Sequence, residues 1–230
     1  MHPLDNVIWQ ALTTRQAEFA EISTHARRFT PEVSPLGAFP EPTTEGYESL
    51  AKLLGTGGTV GLFLEEPYQP RADWIFVAGA PMPEMIYQGG NGALSQYASH
   101  PEILELGPSD VPEMMELTAL TKPGPFGKRT HELGTYLGMR HDGKLVAMAG
   151  ERLKVPGYTE VSAVCTHPEH TGRGYARILM MEIMQRIRSQ GETPFLHVRG
   201  DNVRAIELYE RLGFSQRVLL HFAVLRKDAA

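Results

Sequence analysis

The chain has little cysteine and no excess of basic residues, and each absence excludes a class of protein. Its 230 residues include a single cysteine, Cys165, so no disulfide can form within the chain and a reducing compartment is the natural expectation. Basic residues do not predominate either, because 22 lysines and arginines stand against 27 aspartates and glutamates, a net charge of -5. A nucleic-acid backbone is therefore not expected as a partner.

Long apolar runs and targeting segments are also missing. No stretch is long and apolar enough to span a bilayer, and the N-terminus lacks the basic start and apolar run of a signal peptide. Hydrophobic residues make up 42% of the chain and charged residues 21%, as in ordinary globular proteins. We therefore expect a soluble, cytoplasmic protein that binds neither membrane nor nucleic acid, and we leave a homodimer open.

The first hundred residues have the pattern of a small α/β unit. Residues 43–54 form a capped amphipathic helix pattern, and residues 58–64 and 74–78 are short apolar runs that favour strands. Residues 88–101 are rich in glycine, serine and asparagine, which is typical of a connection. We place a boundary near His100, so that residues 1–102 form an N-terminal α/β region.

Residues 103–230 show the alternating pattern of a mixed α/β sheet with helices packed on it. An Asp-Gly turn at Asp142 and Gly143 predicts a hairpin, and an apolar stripe over residues 176–187 predicts the longest helix. The predicted strands are 103–106, 134–140, 145–152, 160–166, 195–198 and 217–225, and the predicted helices are 110–121, 176–187 and 202–212.

A glycine-rich turn at residues 171–176 joins the strand 160–166 to the longest helix. Consecutive unpaired amides and the helix dipole make such a place suitable for an anion, and Gly172 and Gly174 let a phosphate approach the backbone. Arg173 can add a cation. The turn alone is a weak signal: a Walker loop is excluded because no Gly-Lys-Ser/Thr follows, and the glycine spacing disfavours a dinucleotide fingerprint.

Two segments together resemble one family. His-Pro-Glu-His-Thr-Gly-Arg-Gly-Tyr-Ala, residues 167–176, is similar to the GNAT acetyltransferase signature Gln/Arg-x-x-Gly-x-Gly/Ala. Residues 202–214 are similar to the family's Asn-x-x-Ala-x-x-x-Tyr-x-x-x-Gly-Phe run. The resemblance covers residues 103–230 and is nearest to the FR47-like and glycine N-acyltransferase-like branch. Thr171 departs from the pattern, which usually has glutamine or arginine there.

The resemblance implies a GNAT fold for residues 103–230 and acetyl-CoA or coenzyme A as the acyl donor. The main chain before the turn would bond the pantetheine arm, and the amides of the turn would bind the pyrophosphate. The coenzyme-binding residues implied in this way are Val164, Cys165, Thr166, Thr171, Gly172, Arg173, Gly174, Tyr175, Ala176 and Asn202.

The resemblance also implies two catalytic residues. Glu160 stands 11 positions before Thr171, where one branch of the family carries its general base, although it can equally be a solvated glutamate at a strand end. Tyr209 occupies the place of the general acid that protonates the coenzyme thiolate, although its spacing also fits a core tyrosine. Asn202 can bond the pantetheine or serve only as a helix cap.

Other reactive side chains lie nearby. His197 alternates with apolar neighbours and can be a second proton carrier or a buried core histidine. Cys165, His167 and His170 invite a zinc interpretation, but they lie across a strand-to-turn junction without a matching fourth ligand. We therefore predict no metal. Cys165 can also be read as an acyl-carrying nucleophile, or simply as a small buried side chain.

The resulting hypothesis is an acyl-CoA-dependent N-acyltransferase. It would transfer an acyl group, which the resemblance implies to be acetyl, directly to a primary amine of a small or amino-acid-like acceptor within a ternary complex. The alternative is a non-catalytic acyl-CoA-binding sensor or regulatory module. The N-terminal region can be a degenerate copy of the same fold or a lid over the acceptor.

Overall fold

The computed structural model describes residues 2–89, 100 and 102–228. Its largest element is one mixed sheet of eight strands, in which β9 and β10 are parallel and all other neighbours are antiparallel. In order across the sheet the strands are β4 (Thr59–Leu64), β11 (Phe214–Lys227), β5 (Trp74–Tyr87), β10 (Thr193–His197), β9 (Tyr158–Thr166), β8 (Lys144–Val155), β7 (Tyr136–His141) and β6 (Leu104–Glu105).

The predicted helices are confirmed. In α4 the predicted stripe is buried from Leu179 to Ile187, because its residues recur on one face and this face packs on the sheet; only Ala176, at the start of the stripe, is half-buried. Thr43 caps α2, since its hydroxyl accepts a hydrogen bond from the amide of Gly46 at 3.2 Å. The helices are α1 (Val7–Thr13), α2 (Thr44–Leu54), α3 (Val111–Thr121), α4 (Tyr175–Ser189) and α5 (Val203–Arg211).

The two faces of the sheet are covered by different elements. Helices α4 and α5 close one face over Val161 and Leu196, and Tyr209 of α5 packs in the same cluster. The opposite face is covered by α3 and by an N-terminal layer, which consists of α1 and a small sheet of β1 (Ala20–Ser23), β2 (Ala26–Phe29) and β3 (Gly37–Ala38). The sequence analysis missed α1 and this small sheet, which are short and have weak periodicity.

The N-terminal region is built into the main sheet. Its strand β5 was expected to end before Pro81 and Pro83, but it continues to Tyr87 and lies between β10 and β11. The carbonyls of both prolines accept hydrogen bonds from the segment after β10, and in a strand the nitrogen of a residue points the same way as its carbonyl. Because the regular pairing with β10 ends at His197, this segment does not need the amide hydrogens that proline lacks. The N-terminal region therefore contributes an internal strand to the main sheet, and its interpretation as a degenerate copy of the same fold stays a prediction.

The division at residue 102 stays a prediction. The connection that suggested it, residues 88–101, lies mostly outside the described residues, and so does most of the chain next to the proposed boundary. Within the described residues no helix has the length and apolar character needed to cross a membrane.

Candidate active site

The glycine turn before α4 has the backbone that the sequence indicated. Gly172 and Gly174 have φ angles of 80° and 82°, in the left-handed region that favours glycine. A Cβ added at either position would meet no atom within 4 Å, so both residues face open space. Glycine is thus required here by the backbone conformation, and the open space is where an anion can approach.

Helix α4 begins at this turn, and no side chain caps its first amides. Gly174 is the N-cap and provides no side chain, and the first turn of the helix holds no acidic residue. Its first amides and the positive end of its dipole are therefore available to an anion. Thr171, where the family pattern has a longer polar side chain, is instead hydrogen-bonded within the turn, because its hydroxyl donates to the carbonyl of Pro168 at 3.0 Å.

Strands β9 and β10 separate directly before the turn. Their pairing ends at Glu160 opposite Phe195, and residues 161–166 continue without a partner on that side. The pairing of β9 with β8 is irregular around Ala163, which has a left-handed φ of 52°. The backbone of Val164, Cys165 and Thr166 thus lies beyond the last residue pair of β9 and β10, and its contact with pantetheine stays a prediction.

Glu160 is fully buried and fully bonded. Its carboxylate accepts two hydrogen bonds from Arg152 at 2.8 and 2.6 Å, one from the amide of Leu153 at 3.2 Å, and lies 2.7 Å from Nδ1 of His197. Burial alone would raise the pKa of Glu160, but Arg152 and then His197 outweigh it and hold the pKa at about 2. A carboxylate so placed does not take a proton from an ammonium, which argues against the predicted role as general base.

His197 lies between two carboxylates. Its Nδ1 faces Glu160, its Nε2 lies 3.3 Å from Oε2 of Glu84, and its side chain is 1% exposed. Burial lowers the pKa of His197, but Glu160 and Glu84 raise it further, so that the net shift is upward. The ring of Phe63 stacks on it with a centroid distance of 4.2 Å. Of the two interpretations left open for His197, the structure thus has the buried histidine, held between two acidic side chains.

The ion pairs continue towards the N-terminus. Arg217 bonds both Glu84 and Asp5, the latter at 2.8 Å. Positive and negative groups therefore alternate from Arg152 to Asp5 along the face beneath the N-terminal layer. This chain of charges was missed from the sequence, although Glu84 and Arg152 are charged residues inside apolar strands, which is the signal that would have found it.

Tyr209 lies on α5 in the core between the helices and the sheet. It is 9% exposed, and burial raises the pKa of its phenol to about 12, so it stays a neutral proton donor at physiological pH. Asn202 caps α5, since its side chain accepts a hydrogen bond from the amide of Ala205 at 3.2 Å. The capping role is therefore present, and the predicted contact with pantetheine stays a prediction.

The zinc interpretation of Cys165 does not fit. Cys165 is buried against α3, and burial raises the pKa of its thiol to about 11, which also makes it a poor nucleophile. The ligand atoms of His167, Glu169 and His170 do lie within 4.8 Å of one another, a group that the sequence did not predict. The absence of a bound metal stays a prediction.

Comparisons with known proteins agree with this geometry. Residues 136–222 match the family model of the FR47-like proteins. The chain is 37% identical to a protein from Novosphingobium aromaticivorans assigned to the GNAT family of acetyltransferases, with each chain covered completely and a TM-score of 0.91. A GCN5-related N-acetyltransferase from Kribbella flavida shares the fold at 15% identity and a TM-score of 0.61, over 98% of this chain and 94% of its own.

Curated relatives match over shorter segments. The N-alpha-acetyltransferase RimI of Mycobacterium tuberculosis is 39% identical over 98 residues, 41% of this chain and 60% of its own. The mycothiol acetyltransferase of Tsukamurella paurometabola is 31% identical over 124 residues, 52% of this chain and 41% of its own. The chain thus spans less than two thirds of these two relatives. With the complete match to the Novosphingobium protein, the fold and the glycine turn show that the chain belongs to the GNAT family of acetyltransferases.

Proposed function

We propose that the protein is an acetyl-CoA-dependent N-acetyltransferase that transfers the acetyl group to a primary amine. The observation that carries the proposal is the uncapped start of α4, where two left-handed glycines face open space beside the gap between β9 and β10. A pyrophosphate fits the amides of this turn, and an extended arm fits the gap. Membership of the family supports acetyl-CoA as the donor.

The residues that hold the coenzyme act mainly through their main chain. The amides of residues 173–176 bind the pyrophosphate, and Arg173, which is exposed, adds positive charge. The main chain of Val164, Cys165 and Thr166 lies along the open side of β9, where it bonds the pantetheine arm and polarises the thioester carbonyl. Because main-chain groups do this work, Thr171 does not prevent binding.

The reaction needs a neutral amine and a proton for the leaving thiolate. The nitrogen lone pair attacks the thioester carbonyl carbon and a C–N bond forms. The nitrogen, which now carries an extra proton, gives that proton to water, the C–S bond breaks and the sulfur leaves as a thiolate. We propose that Tyr209 donates its proton to that thiolate, since burial keeps its phenol neutral. The ammonium of the acceptor loses its proton to water, because the carboxylate of Glu160 is closed off and its pKa is near 2.

A matched pair of glycine variants tests the coenzyme site. Gly174→Ala adds a Cβ at a left-handed residue that faces the proposed pyrophosphate, whereas Gly143→Ala adds the same strain, at a φ of 78°, in the turn between β7 and β8. Both should lower stability by about 1–2 kcal/mol. Only Gly174→Ala should weaken coenzyme A binding, by about tenfold or more in calorimetry. Equal affinities in the two variants would contradict the assignment.

Turnover decides between an enzyme and a sensor. Release of free coenzyme thiol is measured with acetyl-CoA against small amines, amino acids and peptides with a free α-amine, the last because one relative is named an N-alpha-acetyltransferase. Mass spectrometry of the acceptor confirms the acetyl transfer. If the protein binds the coenzyme tightly but acetylates no amine, the alternative function, a non-catalytic acyl-CoA-binding module, is the correct one.

A further inference from the structure

We infer that the acceptor binds in the cavity between α1, β3 and β4, and that this cavity selects a cationic acceptor, a primary amine carried on an aromatic or similarly planar apolar group. The inference rests on the proposed function, whose acceptor it defines. We call this space the α1–β4 cavity. Its volume of about 650 Å³ is in the range of sites that enclose small molecules.

The lining of the α1–β4 cavity is aromatic. The rings of Phe39 and Tyr47 pack together at 4.8 Å, and Trp9, Phe63 and Tyr68 complete the aromatic wall. Flat apolar rings of this kind bind planar groups by stacking and bind cations through their electron-rich faces. The lining thus favours an acceptor with an aromatic body, a positive charge, or both.

One positively charged side chain of the protein, Arg71, already lies over an aromatic ring of this wall. The guanidinium of Arg71 lies 4.1 Å from the centre of the Tyr47 ring, and it donates a hydrogen bond to the carbonyl of Pro42 at 2.9 Å. Among the described residues that line the cavity, Arg71 is the only lysine or arginine. A cation on an aromatic face is therefore an arrangement that this wall supports.

The charge of the lining is negative. Four carboxylates line the cavity, and that of Asp5 is paired with Arg217. Glu41, Glu65 and Glu66 are exposed at the mouth, and within the described part of the chain none of the three takes part in an ion pair. These three carboxylates outnumber the single positive charge of Arg71 in the lining, so the cavity attracts a cation and repels a carboxylate-bearing ligand.

One side chain links the cavity to the end of the β9–β10 pairing. Phe63 lines it, and the same ring stacks on His197, which bonds Glu160 at the point where β9 and β10 separate. On the other face of the sheet, buried side chains of α4 and α5 close the same point over Val161 and Leu196. An amine therefore reaches the gap from the side of the N-terminal layer, where the α1–β4 cavity lies.

The test compares two triple variants of the full chain. Glu41→Gln, Glu65→Gln and Glu66→Gln together remove the unpaired charge of the cavity, while Glu18→Gln, Glu102→Gln and Glu116→Gln remove three exposed carboxylates elsewhere. For the best amine acceptor, the KM of the cavity variant should rise about five- to tenfold, since exposed charges contribute tenths of a kcal/mol to about 1 kcal/mol each. The kcat and the KM for acetyl-CoA should stay within twofold of wild type in both variants.

Tyramine and tyrosine provide the matched ligands, because they differ only by a carboxylate. Binding to the full chain is followed by NMR and should favour tyramine in the wild type and the control, with the preference reduced in the cavity variant and in 1 M salt. If amines are acetylated but the cavity variant equals the control in KM and in tyramine preference, the acceptor site is overturned while the proposed function stands. If no amine is acetylated, the proposed function fails, and tyramine binding alone decides whether the cavity takes cations.

Discussion

Replacing Glu160 by glutamine separates a buried structural carboxylate from a catalytic base. The substitution keeps the shape of the side chain but removes its charge. Arg152, whose side chain is 10% exposed, then loses its counter-ion, and His197 loses one of its two carboxylates. Removing one partner of a buried ion pair is costly because the other charge remains buried and unpaired.

Two independent estimates of the loss in free energy of unfolding agree. Breaking a buried pair typically costs about 3–5 kcal/mol. A pKa lowered from its usual 4.5 to about 2 corresponds, by linkage, to roughly 3 kcal/mol at neutral pH. We therefore expect Glu160→Gln to lower the free energy of unfolding by about 3 kcal/mol, which for a chain of this size is a shift of roughly 6–12 °C in Tm.

Urea unfolding and thermal melting measure the effect at pH 7. Glu207→Gln is the control, because its side chain is 57% exposed and lies 3.9 Å from Arg211; it should change stability by less than about 0.5 kcal/mol. Coenzyme A affinity is measured alongside. A Glu160→Gln protein that is as stable as wild type, binds the coenzyme normally and has lost turnover would refute the structural reading and restore Glu160 as the base.

Three further results are expected. Tyr209→Phe should lower kcat by about 10²-fold with little change in KM, because it removes the proposed proton donor but retains the buried ring; an unchanged kcat would leave Tyr209 as a core residue. The free energy of unfolding should fall at both ends of the pH range. Because the pKa of Glu160 is lowered, the stabilisation that its carboxylate provides is lost as pH falls from about 4.5 towards 2. Because the pKa of His197 is raised, the stabilisation that its ring provides is lost as pH rises above its usual value of about 6.5. Urea titrations at pH 3, 6 and 9 check this, and His197→Gln should flatten the alkaline limb. Cys165 should react slowly with Ellman's reagent until urea unfolds the chain, since its thiol is 7% exposed with a pKa of about 11; fast labelling of the native protein would contradict that burial.

Local patterns were enough to predict much of the fold. The Asp-Gly hairpin, the stripe of α4 and the cap of α2 were predicted correctly, because each depends on residues close together in the chain. The continuation of β5 through Pro81 and Pro83 was not, since prolines normally argue against an internal strand. The strand is possible because the segment beside the prolines, residues 198–200, donates hydrogen bonds to their carbonyls and needs no amide hydrogen from them.

The sequence by itself determined the glycine turn, because glycines at left-handed positions and an uncapped helix start are local properties of residues 171–176. Tertiary structure decided what surrounds it. Glu160 looked like a base from its place in the motif, but its pKa depends on Arg152 and His197, which lie 8 and 37 residues away in the chain. The α1–β4 cavity likewise brings together Asp5, Phe63 and Leu220, which no local pattern connects. Electrostatic environment and cavity shape arise from distant residues, and these become neighbours only when the N-terminal region enters the sheet.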